Sequence, residues 1–240
     1  MVRGKLNLYY SYLRIYEGRL QDEMAARLIN FCRDAATQLS NEFVRIRAGA
    51  VATDRGAILL PSVPEPHLPA LVGLMIRQGA DFLGDEMTNV DPILQDVHGL
   101  QLPLMIDGDD LPLFPELDRE EARGRRREIP DEVRATTPRR VVLPQEIGGG
   151  FGEPARLGWL IFPFFEPGEE TRLESYGGAE AVFRFTQAMI NLHVWEDRAL
   201  VLLKELLEEV PVSRLVVGSI PVAAQLVLDT APTVMEGVSA

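Results

Sequence analysis

Ala48-Gly49-Ala50-Val51-Ala52-Thr53-Asp54-Arg55-Gly56-Ala57-Ile58-Leu59-Leu60-Pro61 is the stretch whose reading decides the fold. Arg45 to Ala52 reads as a strand, and Asp54-Arg55-Gly56 as a turn. Ala57 to Leu60 is an unbroken apolar run, the pattern of a strand covered on both faces. Pro61 to Pro69 holds four prolines in nine residues, which forbids helix and central strand and predicts a loop. Ala70 to Gly79 follows as a short apolar helix with Leu71, Leu74 and Met75 on one face. Asp81-Phe82-Leu83 then reads as a strand that delivers Gly84-Asp85-Glu86 to a loop. Strand, loop, helix and strand, with acids at the last carboxyl end, open an α/β unit.

Working outward, residues 1–42 form an N-terminal segment: alternating aromatic and aliphatic residues from Leu6 to Tyr16 predict extended chain. Leu20 to Leu39 predicts a helix whose apolar face carries Met24, Leu28, Phe31 and Ala35, with Cys32 on or beside it as a buried, inert thiol. Residues 43–229 form the α/β body, and residues 230–240 a tail frayed from Ala231. Within the body, residues 118–140 carry eight arginines and six acids with Pro130 and Pro138, so they predict an exposed, solvated excursion. Leu157 to Phe165 is a buried strand with a turn at Glu166-Pro167-Gly168-Glu169. Helices are predicted over 178–192 and 197–209, a strand over 210–217, and a closing helix that Gly218-Ser219-Ile220-Pro221 starts and Leu228 ends.

Composition excludes several classes. The formal charge of −12 opposes a nucleic-acid surface, which needs clustered lysine and arginine. One cysteine and three scattered histidines leave no disulfide framework and no zinc spacing. No apolar run nears the ~20 residues of a membrane helix, and Met1-Val2-Arg3-Gly4-Lys5 leads into no signal-peptide core, so the expected home is the cytoplasm. Only two of the 24 basic residues are lysines, a bias that a GC-rich genome accounts for. His98 and His193 have no acid, Ser or Cys at a triad spacing, and Gly148-Gly149-Gly150-Phe151-Gly152 reads as a flexible turn.

Two strings, Ala48-Gly49-Ala50-Val51-Ala52 with Gly56 to Pro61, and Gln78 to Glu86, resemble the kinase domain of HPr kinase/phosphorylase and its shorter HPr-kinase-related members. Phe162-Pro163, Glu166-Pro167-Gly168, Gly178-Ala179-Glu180-Ala181 and Val210 to Leu215 are similar as well, so the likeness spans about residues 43–229. It implies a P-loop fold of the HPr kinase C-terminal type, a mixed sheet with flanking helices. It also implies ATP and Mg²⁺ as cofactors, and association into oligomers. The family's phosphate loop, G-x-x-x-x-G-K-[ST], would lie at Ser62, Val63, Pro64, Glu65, Pro66, His67, Leu68, Pro69 and Ala70. By the same resemblance Asp85 would be the base that accepts the proton of the attacking hydroxyl, and Glu86 a ligand for Mg²⁺. Arg47 stands where the family usually has histidine, and Glu121-Ala122-Arg123-Gly124 echoes its E-x-R-G signature within a segment already rich in both residue types.

The loop departs from the family pattern at every chemical requirement. It has no glycine, no lysine and no hydroxyl at the helix start; three prolines remove amide donors, and Glu65 adds a negative charge. Each missing charge-assisted hydrogen bond costs roughly 1.5–3 kcal/mol, and several are missing together. The expectation is therefore a pseudokinase that binds no nucleotide and no metal and acts by binding a protein or peptide. The alternative is an active kinase in which arginines of the 119–140 segment grip the γ-phosphate and Asp85 remains the base for transfer to a serine hydroxyl.

Overall fold

In a computed structural model of the chain, the described residues are 6–10, 12–18, 21–39, 41–62, 65–117, 139–195 and 197–231. Strands β1 (Leu6–Tyr10) and β2 (Leu13–Gly18) form an antiparallel hairpin, followed by helix α1 (Gln21–Leu39). Next come β3 (Val44–Ile46), β4 (Ala48–Thr53), β5 (Gly56–Pro61), helix α2 (Leu68–Arg77), β6 (Asp81–Gly84), β7 (Thr88–Val90), β8 (Asp96–His98) and β9 (Leu104–Asp107). From Arg139 onward lie β10 (Arg139–Val142), β11 (Ala155–Phe165), β12 (Arg172–Ser175), helices α3 (Gly178–Ala188), α4 (Leu192–Trp195) and α5 (Asp197–Glu209), β13 (Val212–Val217) and helix α6 (Ile220–Thr230).

Among the described residues the main sheet has nine strands in the order β3-β7-β8-β11-β5-β4-β6, with β13 on the other side of β11 and β12 beside β13. β5, β11 and β13 are parallel neighbours, β4 runs antiparallel between β5 and β6, and β9 pairs with β10 in a separate ribbon. The fold is thus α/β with a large mixed sheet and flanking helices, as expected. The central strands show why their sequences are continuously apolar. Along β4 and β5, Val51, Ile58 and Leu60 face a core shared with α2 and α6, whereas Ala50, Ala57 and Leu59 face one shared with α3 and α5. Alternate residues fill two cores, so neither set can be polar. No described helix is long and apolar enough to cross a membrane.

Several expectations need correcting. The predicted strand 45–52 is divided at the exposed Arg47 into β3, which pairs with β7, and β4. The helix α2 begins at Leu68 rather than Ala70, because Pro69 in the first turn forfeits only an amide that would have no helical partner. The helix predicted over 178–192 stops at Ala188. There the chain turns to pair with β3: the Arg47 amide donates to the Ala188 carbonyl at 2.8 Å and the Ile190 amide to the Arg45 carbonyl at 2.8 Å. Arg139 and Arg140, read from the sequence as part of an exposed excursion, begin β10; residues 118–138, including Glu121 to Gly124, lie outside the described residues, as does the tail beyond Ala231. In α1, Leu28 is 44% exposed and Cys32 is exposed, while Ile29 and Arg33 are buried. The helix therefore docks on a face rotated from its apolar stripe, and the thiol is not a core group. The segment Gly148 to Gly152 is a turn packed close to α2: Gly148 adopts φ 89°, and a Cβ on Gly149 would meet Ile76 Cγ2 at 2.1 Å.

Asn191 fixes the β3 end of the sheet. Buried, it accepts the Arg45 amide at 2.9 Å and donates to the Phe43 carbonyl at 2.9 Å. Asn191→Leu leaves both backbone groups unpaired in the interior and is expected to cost about 2–4 kcal/mol by urea unfolding. A loss below about 1 kcal/mol would show that the amide is not holding the strand.

Candidate functional site

β5 and β6 both run antiparallel to β4, so their carboxyl ends lie on the same side of the sheet, and Asp85 follows directly after the carboxyl end of β6. Its carboxylate is 3% exposed and both oxygens are engaged. Oδ1 accepts from Arg33 of α1 at 2.9 Å, and Oδ2 accepts the Met105 amide of β9 at 2.8 Å. Glu86 lies farther out. One of its oxygens takes the other arm of the Arg33 guanidinium, and Oε1 accepts from Arg139 of β10 at 2.7 Å. Arg139 Nε also donates to Asp107 Oδ1 at 2.8 Å. Two guanidiniums and three carboxylates therefore form one chain from the buried end of β6 to the surface.

The electrostatics follow from depth. Burial pushes the Asp85 carboxyl up to about 6; Arg33 and the Met105 amide oppose that rise, and the neighbouring Glu86 adds to it. For Arg139, burial works against the charge, but Glu86 and Asp107 more than compensate and hold the guanidinium above its ordinary value. Beside Asp85, Arg33, Leu83 and Leu102 line a void of about 10 Å³, room for one water at most. Mg²⁺ needs near-ideal octahedral oxygen donors, and here the oxygens of both acids already face guanidiniums or an amide. The residues present do not fit that ion, and among the described residues no group of three or more His, Cys, Asp or Glu side chains is placed to hold a metal.

The predicted phosphate-loop positions do not converge on one point. Ser62 lines an open cleft, Pro66 is exposed, and Leu68, Pro69 and Ala70 are buried in the first turn of α2. Val63 and Pro64 lie outside the described residues. Glu65 turns the leading amides of the helix onto itself: its carbonyl accepts the Leu68 amide at 3.3 Å and its carboxylate the His67 amide at 3.5 Å. A carboxylate of the protein thus lies beside the start of the helix, where its charge opposes a bound phosphate. His67 points its Nδ1 at both oxygens of the buried Asp110, at 3.1 and 3.0 Å, and its ring packs against Phe165.

Arg33 and the His67–Asp110 pair escaped the sequence reading. Arg33 lies four residues after Ile29, on a face that a stripe drawn through Met24 and Leu28 does not include. Asp110 is 43 residues from His67, and no local pattern links them. His98 stacks on Phe43 with centroids 4.8 Å apart, while His193 is exposed. Compared with protein-family models and with curated proteins, the chain matches none.

Proposed function

We propose that this chain is a catalytically degenerate HPr-kinase-like domain of the P-loop class whose nucleotide site has lost its phosphate-binding groups, and that it works as a regulatory module binding a protein or peptide. The observation that carries this reading is the burial and double pairing of Asp85: it is 3% exposed, and Arg33 and the Met105 amide each engage one of its oxygens, which disfavours an incoming hydroxyl or metal. The order β5, loop, α2, β6, with an acid at the last carboxyl end, supports the family part of the proposal. Glu65 at the start of α2 supports the loss of phosphate binding, since a triphosphate would meet a carboxylate where it needs amides. Against the active-kinase reading, Arg139, from the segment that would have supplied the γ-phosphate grip, is committed to Glu86 and Asp107.

Calorimetric titration with ATP and Mg²⁺ tests the proposal. No heat of binding is expected up to millimolar nucleotide, because the loss of several charge-assisted hydrogen bonds moves a micromolar site beyond that range. Binding at micromolar ATP, or phosphoryl transfer that disappears in Asp85→Asn, would overturn it.

A further inference from the structure

The crossover through α2 carries the chain from β5 toward β6, and the one through α3, α4 and α5 carries it from β11 to β13 in the opposite direction. β5 and β11 are parallel neighbours, so the two connections diverge between them, and the helices lie on opposite faces of the sheet. That is a topological switch point, the place where an open α/β sheet leaves a crevice at the carboxyl ends of its strands. A cleft of about 290 Å³ lies there, lined by Ser62, Glu65, Pro163, Phe164, Phe165, Glu166 and Arg184.

Its charges are unevenly spent. Glu166 is paired with Arg214 at 3.0 Å, and Arg214 also lies 4.3 Å from the centre of the Phe164 ring. Arg184, from α3, lies over the same ring at 4.1 Å and beside the Tyr176 hydroxyl, and a guanidinium with five N–H donors can take a carboxylate as well. Among the described residues no carboxylate lies within 4 Å of the Arg184 guanidinium, and no cationic side chain within 4 Å of the Glu65 carboxylate. One cation and one anion outside any ion pair therefore line a common cleft with an apolar wall. We infer that this cleft binds a free α-amino acid with an apolar or aromatic side chain: Arg184 takes its carboxylate, Glu65 its ammonium, and Phe165 and Pro163 its side chain. The two carboxylates in the lining disfavour polyphosphates, and a volume at the lower end of the roughly 300–1,000 Å³ that encloses drug-sized ligands suits a molecule of this size.

The inference does not depend on the nucleotide-site reading, which the ATP titration tests by itself. Its own test is thermal shift and calorimetry on the full chain with L-leucine, L-methionine and L-phenylalanine, each beside its N-acetyl and amide derivative. At least one free amino acid should raise Tm by several degrees when present at about a hundred times its dissociation constant. Blocking either end should weaken binding at least tenfold, as should Glu65→Gln and Arg184→Lys. No shift with any of the three at about 10 mM would overturn the assignment. Equal binding of the N-acetyl derivatives would overturn it too, since a peptide carboxyl terminus would then serve as well, and so would undiminished binding by both variants.

Discussion

Arg33→Met is expected to lower stability at pH 7 by about 3–5 kcal/mol, because it leaves the Asp85 carboxylate buried beside Glu86 without its cation. The pH dependence separates this cause from lost packing. In the intact chain the Asp85 carboxyl titrates at about 6, above its ordinary value of 3.8. A group with a raised folded-state pKa contributes stability that is complete below the unfolded value and lost as pH rises through the folded one. Here that window runs from about pH 4 to about pH 6 and amounts to about 3 kcal/mol. Removing Arg33 takes away the charge that opposes the rise, so the carboxyl titrates higher still and the loss extends past neutrality. The gap between variant and parent should therefore be widest at pH 7 to 8 and shrink by at least half at pH 5, where Asp85 is protonated in both. Urea unfolding at the two pH values measures it. A second variant, Arg33→Met with Asp85→Asn, should recover much of the loss at pH 7, since the unpaired charge is gone. An equal loss at pH 5 and pH 7 would mean that α1 docks through packing alone.

Gly218→Ala is expected to be the most damaging exposed-loop substitution. A Cβ there would lie 1.7 Å from the Glu169 carbonyl oxygen, a backbone atom that no rotamer change can move aside. The β11–β12 turn and the β13–α6 loop must separate, and their separation breaks the cap on α6. Thr171 Oγ1 accepts the Gly218 amide at 3.1 Å and the Ser219 amide at 2.9 Å, which is how the start of that helix is satisfied. At least about 3 kcal/mol should be lost, a fall in Tm of about 6–12 °C for a chain of this size. Gly178→Ala is the control: nothing lies within 4 Å of an added Cβ, and alanine is the better residue in a helix, so Tm should hold or rise slightly. Equal melting of the two variants would show that the loops give way freely.

The parts of the fold that were legible in the sequence are those whose pattern is imposed locally. The apolar runs of β5 and β11 announced strands covered on both faces, and the proline-dense segment announced a loop. The periodicity of residues 20–39 announced a helix, and α1 spans Gln21–Leu39. Less legible were boundaries set by a partner far away in the chain. The end of α3 at Ala188 follows from hydrogen bonds to Arg45 and Arg47, and the break between β3 and β4 from different partner strands on either side. The exposure of Leu28 and Cys32 has the same origin, because the orientation of a docked helix is chosen by what it meets.

For the candidate site, residue chemistry was visible and residue company was not. The sequence by itself determined that an acidic pair follows a strand at Gly84, and that the preceding loop lacks the glycines and lysine a phosphate requires. Both are statements about which atoms are present at adjacent positions. Only the tertiary structure decided that Arg33, 52 residues upstream, takes the Asp85 carboxylate, and that the Met105 amide closes its other oxygen. It also decided that Glu65 and Arg184 line a single cleft. Ion pairing depends on distance and on the exclusion of water, and a linear chain specifies neither until its strands and helices have packed.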